Sequence, residues 1–213
     1  MKITIVYDNE SGRPELKADH GYACLIESED FPSILFDTGA SGRILKHNLV
    51  ELAKDFTDIG TVVISHRHSD HTGGLKSVIE RNNDVDVYLP ESYTTGVSAR
   101  RVTRVGRPVQ IHPGVVSTGE LSGIEQSLVL TTGKGLVVVV GCAHPGLDNI
   151  LRVASGFGKV WGIIGGFHGY RDFFELDYLS LVCPCHCTIY KAEIQRIFGK
   201  RCLNGKVGTV IKL

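Results

Sequence analysis

At 213 residues the chain is long enough for one large domain with a sizeable core, or for two small ones. Lys plus Arg and Asp plus Glu balance at 23 each, so no global charge draws the chain to nucleic acid or a membrane surface. No apolar run approaches the ~20 residues of a membrane span, and the opening MKITIVYDNE reads as a core strand and not as an export signal; the six cysteines are then expected as reduced thiols in a cytoplasmic protein.

Lys2 to Tyr7 reads as a strand ending at Asp8-Asn9. A polar loop over 9 to 20, with Gly12 and Pro14, leads to strands over Tyr22 to Glu27 and Ser33 to Phe36. Asp37-Thr38-Gly39 follows, then Ser41 as an N-cap for a helix over 42 to 54 with Leu45, Leu49 and Leu52 at helical spacing. Thr61 to Ser65 is a short β-branched strand, 74 to 82 a helix, and Val85 to Leu89 another strand. Residues 92 to 119 carry Arg100, Arg101, Arg104 and Arg107 and no acid, and read as an irregular insertion or flap. Strands follow near 109 to 112, 127 to 131 and 135 to 140, then a helix over 147 to 154, a strand over Val160 to Ile164, a helix over 189 to 198 and a strand near 208 to 212. No linker, low-complexity segment or internal repeat divides the chain, so the expectation is one domain over 1–213, a two-halved β-sandwich with helices on both outer faces.

The chemistry concentrates in Ser65-His66-Arg67-His68-Ser69-Asp70-His71-Thr72-Gly73-Gly74, on the loop leaving a buried strand, where open α/β sheets place their chemistry. In extended chain His66 and His68 point the same way and can converge on one ion. A turn after them redirects Asp70 and His71 toward a second ion beside the first. Imidazoles with one carboxylate suit zinc, and also manganese or iron; magnesium is a further candidate, and the occupancy is expected as one or two ions. His144, in Gly141-Cys142-Ala143-His144-Pro145-Gly146, lies after another strand and fits the third ligand that a catalytic zinc requires. His186 fits the second ion in the same way, although Cys183, Cys185 and Cys187 around it allow a separate thiolate site. His168, in Gly165-Gly166-Phe167-His168, is a ligand, a substrate contact or a proton shuttle; a pocket role, with Phe167 beside it, is favoured. Asp37 is expected to accept a hydrogen bond from a ligand histidine or from the metal-loop backbone. Asp8 and Asn9 end the first strand within reach of the pocket, with Asn9 a substrate contact. His20, His47 and His112 have no supporting pattern and read as structural or surface residues.

His66, His68, Asp70 and His71 match His-x-His-x-Asp-His, and at these residues the chain resembles the metallo-β-lactamase superfamily. The resemblance implies an α/β fold, a four-layer αββα sandwich, and leaves the reaction open, because that fold hosts many chemistries. Tyr7-Asp8-Asn9, Leu35-Phe36-Asp37-Thr38-Gly39, the metal loop, Gly141 to Gly146, Gly165 to His168 and Pro184-Cys185-His186-Cys187-Thr188 occur in this order across nearly the whole chain. Together they resemble the branch that includes archaeal dihydropterin (methanopterin-pathway) synthase and related metal-dependent hydrolases. Many dinuclear members carry Gly-Asp where this chain has Gly141-Cys142, and that aspartate bridges both ions; here Cys142 supports the second ion softly or leaves it weakly held.

A bound zinc acidifies water from a pKa of ~15.7 toward ~7. The reading is therefore a metal-dependent hydrolase acting on a small, phosphorylated substrate. Asp70 orients the nucleophile or ligates, His168 serves the pocket, and the guanidinium groups of Arg100, Arg101 and Arg104 grip phosphate. A synthase, in which the ions clamp a diphosphate leaving group, is the alternative. A catalytically silent metal or ligand sensor is the second alternative. Without a basic excess or an aromatic-basic stripe, neither nucleic acid nor a membrane is expected as a partner, only a small anionic molecule.

Overall fold

The computed structural model describes residues 1–213. The first half runs β1 (Lys2–Tyr7), β2 (Ala23–Glu27), β3 (Ser33–Phe36), α1 (Gly42–Glu51), β4 (Ile59–Val63), α2 (Ser69–Thr72), α3 (Leu75–Arg81), β5 (Asp86–Pro90) and β6 (Arg101–Val105). The second half runs β7 (Val109–His112), β8 (Val115–Ser117), β9 (Leu128–Thr132), β10 (Gly135–Val140), α4 (Leu147–Ser155), β11 (Val160–Gly166), β12 (Leu181–Cys185), α5 (Lys191–Phe198) and β13 (Val210–Lys212). The strands form a seven-stranded sheet, β13-β1-β2-β3-β4-β5-β6, and a six-stranded sheet, β12-β11-β10-β9-β8-β7. β13 crosses back to pair antiparallel with β1, so the last strand completes the first sheet.

Alternation along the strands builds three apolar layers. Ile3, Ile5, Phe36 and Val63 face Leu130, Val137, Val139 and Ile164 between the sheets. Their neighbours Val6, Leu35 and Val62 point the other way, against Leu45 and Leu49 of α1 and Leu75 and Val78 of α3. Val138, Val140, Ile163 and Val182 likewise receive Ile150 and Leu151 of α4 and Ile194 and Phe198 of α5. Both faces of β10 are therefore buried, which is why Leu136 to Val140 is apolar without alternation. Each such side chain contributes roughly 1.5–3 kcal/mol of burial. The result is helix, sheet, sheet, helix: the four-layer αββα sandwich.

Two segments differ from the sequence expectation. Residues 92 to 100 are irregular as expected, but 101 to 117 contain β6, β7 and β8, of which the sequence predicts only the strand over 109 to 112. β6 pairs parallel with β5 at the open edge of its sheet, and its exposed residues include both Arg101 and Arg104. Charge on an edge strand blocks pairing with another chain, and it also hides the strand from an alternation test. The run from Cys183 does not lead straight into a helix. Leu181 to Cys185 forms β12, and the helix begins only at Lys191. β12 is also an edge strand, the position in which a proline such as Pro184 is tolerated.

β3, β4 and β5 run parallel, as do β10, β11 and β12. Their carboxyl ends deliver Asp37, Ser65-His66, Gly141-Cys142, Phe167-His168 and His186 to one rim of the sandwich. Backbone bonds lock the rim: Asp37 N–H donates to Val63 O at 2.8 Å and Gly166 N–H to Gly141 O at 3.0 Å. No helix is long and apolar enough to cross a membrane.

Candidate metal centre

The rim gathers donor atoms into two adjoining groups. In the first, His66 Nε2 lies 3.0 Å from His68 Nδ1, and the rings of both stand edge-on to His144 at 4.6 and 4.9 Å between centroids. One nitrogen from each of these three histidines falls within a 4.8 Å cluster. In the second, Asp70 Oδ2 lies 3.0 Å from His186 Nε2 and 3.5 Å from His71 Nε2. The His66 and His71 ring centroids are 4.1 Å apart, so the groups share a wall. Two donors on a tetrahedral ion at ~2.1 Å each are separated by ~3.4 Å, which is the scale of these gaps.

The rings are also held the right way round. Asp37 Oδ2 accepts a hydrogen bond from His71 Nδ1–H at 2.7 Å, and Glu125 Oε2 one from His144 Nδ1–H at 3.0 Å. His66 Nδ1 meets Ser65 Oγ at 2.9 Å, while that hydroxyl donates to Asp37 Oδ2 at 2.7 Å. Asn9 Oδ1 already accepts Gly21 N–H at 3.1 Å, so it is an acceptor for His186 Nδ1 at 2.8 Å as well. Four histidines thus turn Nε2 inward, the orientation a divalent cation needs. Nitrogen donors with one carboxylate and a nearby thiol fit a borderline divalent ion such as zinc better than a hard one.

Burial pushes His71 toward its neutral form, but the Asp37 and Asp70 carboxylates outweigh it and lift the ring to about 10. A divalent cation bound at Nε2 would replace that proton. His66 goes the other way: burial, with His71 beside it, brings it down to about 2, so it is a neutral ligand at any ordinary pH.

The rim backbone carries strain. Asp37 (φ 59°), Ala143 (φ 58°), His168 (φ 47°) and His186 (φ 42°) all sit in the left-handed region that non-glycine residues avoid. Each costs of order 1–3 kcal/mol and persists only because its surroundings hold it. For His186 the clamp is Asp8, whose Oδ2 accepts the His186 N–H at 2.7 Å.

Sequence reading missed Glu125, which is completely buried beneath the Gly141–His144 loop. Its Oε1 accepts the N–H groups of Gly141, Cys142 and Ala143 at 3.0, 3.0 and 3.1 Å. Its Oε2 accepts the N–H and Nδ1–H of His144, both at 3.0 Å. Burial raises the carboxyl, but the His144 side-chain bond and the backbone donors hold it at about 2. An acid two residues after Gly123 looks like a surface turn, and no local signal marks it.

Other residues need correction. Cys142, expected either to support the second ion or to leave it weakly held, points its Sγ among the candidate ligands, 3.1 Å from His71 Nε2. Arg100 and Arg101 do not reach the rim. They pair with Asp86, and Arg100 also with Asp84, at the opposite end of β5. Arg104 is exposed on edge strand β6. Phe167 is 1 % exposed and packs in the layer beneath α4 and α5, so it is a core residue. Asn9 is occupied with His186, donating Nδ2–H to its carbonyl at 3.1 Å. His168 sits at the mouth, its ring 5.3 Å from that of His144. His20, read as a surface residue, lies 3.3 Å from Asp70 Oδ2. Cys183 and Cys185 are buried in the central core, whereas Cys187 joins Cys142 and His186 at the rim.

Residues 33–133 match the model of the β-lactamase superfamily domain. The 7,8-dihydropterin-6-methyl-4-(β-D-ribofuranosyl)-aminobenzene-5'-phosphate synthase of Methanocaldococcus jannaschii is 26% identical over 83% of this chain and 83% of its own. A crystal structure described as a metal-dependent hydrolase of the β-lactamase superfamily superposes with a TM-score of 0.81 at 25% identity, covering 100% of this chain and 99% of the other. The metallo-β-lactamase fold protein YhfI of Bacillus subtilis superposes at 0.69 with 15% identity, over 99% and 98% of the two chains, a likeness of fold alone. On signature, fold and these likenesses together, the chain has the metallo-β-lactamase fold and is similar to members of that superfamily.

Proposed function

We propose that the protein is a metal-dependent hydrolase of a small anionic substrate, a phosphate ester in the first instance. The observation that carries this reading is the convergence of His66, His68 and His144 at the floor of a cavity of about 300 Å³, also lined by Arg67, Ser92, Gly123 and Ile124. A divalent cation held there would supply Lewis acidity, acidifying water and stabilising the charge that develops on the oxygens of the attacked phosphorus. The chain supplies the rest. Glu125 and Asp37 hold His144 and His71 in the tautomer that binds. Asp70 orients the water through its free oxygen or joins the ligands of the second group. Arg67, exposed at the cavity and engaged in no ion pair, takes the anionic end of the substrate in place of the distant Arg100 and Arg101. His168, exposed beside His144, hands a proton to the leaving group.

The likeness to the archaeal synthase supports a second reading, in which the same centre holds a diphosphate leaving group while an arylamine substrate attacks. One experiment separates them. Full-length protein loaded with zinc or manganese is assayed for phosphate release from small phosphomonoesters and diesters, and for diphosphate release from a dihydropterin methyl diphosphate with and without the arylamine phosphate. Hydrolysis that disappears in His66→Ala and His144→Ala supports the first reading, and diphosphate release only when both substrates are present supports the second. Turnover that persists in both variants, or after chelation, contradicts both.

A further inference from the structure

His20 ends the loop between β1 and β2, and its position is built, not incidental. The next residue, Gly21, has φ 143°, and a Cβ there would lie 2.5 Å from the carbonyl oxygen of Asp70, so only glycine lets this loop press against the metal loop. Tyr22 N–H then donates to that same Asp70 carbonyl at 3.2 Å. On the other side Asn9 Oδ1 holds Gly21 N–H at 3.1 Å and His186 Nδ1 at 2.8 Å, which fixes the loop to the ring that stands opposite Asp70.

The consequence is a third nitrogen at the second group. His20 Nε2 is 3.3 Å from Asp70 Oδ2, and the His186 Nε2 gap to the same oxygen is 3.0 Å. The His20 and His186 rings are 4.9 Å apart and tilted by 54°, so they approach from different directions. One donor atom from each of His20, Asp70 and His186 lies within a 4.8 Å cluster. Two donors on one tetrahedral ion stand ~3.4 Å apart, and both gaps to Asp70 Oδ2 have that size. The three donors come from three separate loops, tied to one another through Asn9 and the Asp70 carbonyl.

We propose that His20 is a protein ligand of a cation shared with Asp70 and His186. It adds a third donor to the group formed by Asp70 and His186. Two imidazoles and a carboxylate take zinc, iron(II) or manganese(II) in preference to magnesium. The His20 side chain is 69% exposed, whereas that of His186 is 1% exposed. His20 is therefore the ligand able to swing away and open a coordination position to an incoming anion.

The inference rests on the metal-dependent reading above. Its test uses the full chain, stripped of metal and titrated with zinc against a chromophoric chelator, and in parallel with cobalt(II), whose visible spectrum reports ligand number. Wild type, His20→Ala, His20→Gln and the remote control His47→Ala are compared. The expected result is two zinc equivalents in wild type and in the control. In both His20 variants one equivalent weakens at least about tenfold, a loss seen even for outer hydrogen-bond partners of ligands, with an altered cobalt spectrum for that equivalent alone. Unchanged binding in both His20 variants overturns the inference, leaving His20 as a hydrogen-bond partner of Asp70. Wild-type binding in His20→Gln with weakened binding in His20→Ala overturns it too, because the amide replaces the hydrogen bond and not the imidazole ligand. A single zinc equivalent in wild type overturns it while sparing the His66, His68 and His144 group. No zinc in wild type overturns the metal-dependent reading itself.

Discussion

Replacing Glu125 by glutamine changes one atom and should damage both folding and metal affinity. With the amide oxygen in the Oε1 place, the bonds from Gly141, Cys142 and Ala143 survive. The amide NH2 then faces the two donors that Oε2 now accepts, the N–H and Nδ1–H of His144. Each buried donor left without an acceptor costs about 1–3 kcal/mol, so the pair costs roughly 2–6 kcal/mol. His144 can relieve half of this by moving its proton to Nε2, but Nε2–H then points at the cation position and the ring no longer ligates. The relieved variant should lose about 1–3 kcal/mol of stability, a fall in Tm of roughly 2–12 °C for a chain of this size. It should also bind zinc about 10–100-fold more weakly, the usual effect of removing a ligand's hydrogen-bond partner. Thermal denaturation of the chelated protein and zinc competition with a chromophoric chelator measure the two losses separately. A Glu125→Gln protein with wild-type Tm and wild-type zinc affinity would refute the reasoning. So would loss of stability without loss of affinity, because the carboxylate would then be holding the loop and not the ligand.

Other consequences concern charge and metal. Arg67→Ala should raise KM for an anionic substrate about tenfold or more and leave kcat within a few-fold, since the guanidinium is assigned to binding and not to the reacting atoms; an unchanged KM removes Arg67 from the site. Asp86 is held below the usual carboxylate range, first by its hydrogen bond to Arg100 and then by Arg101. Its lowered folded-state pKa means that the unfolded chain binds more protons in acid, so the contribution is present above the ordinary carboxylate pKa and fades as pH falls through the lowered one. Asp86→Asn should therefore cost under about 1 kcal/mol at pH 7, less at pH 3, with turnover unaffected; a penalty that grows in acid contradicts the assignment. Chelation should abolish activity. Because ions stabilise only the folded state, zinc at 100 times its Kd should add about 2.7 kcal/mol and raise Tm by roughly 5–10 °C; a Tm indifferent to zinc argues against a preformed centre.

The legible parts of the sequence were those whose signal is local. Val62 and Val63 before the histidine run, and Leu136 to Val140 before Gly141, show buried strands ending at candidate ligands, because both faces of such strands must be apolar. The edge strands were harder. β6 carries Arg101 and Arg104 as an edge strand can, and reads from sequence as a flap; β12 is buried, but Pro184 within it reads from sequence as a strand breaker. Long-range residues were least legible. Glu125 lies 16 to 19 positions from the groups it binds, and a buried carboxylate looks in sequence like any surface acid. His20 reaches Asp70 only because Gly21 lets one loop touch another, and Asn9 serves the His186 ring 177 residues away. Phe167, next to a rim histidine, alternates inward into the core, while Arg100 and Arg101 lie at the far end of a strand whose direction only the fold reveals.

The central claim is that the rim histidines form a metal centre, and metal content tests it most directly. Elemental mass spectrometry is applied to protein purified without chelator and supplemented with zinc, manganese or iron, for wild type, His144→Ala and His186→Ala. The account predicts about two ions per wild-type chain, with each variant losing one. Wild-type protein that holds no ion after supplementation with any of the three metals would contradict it.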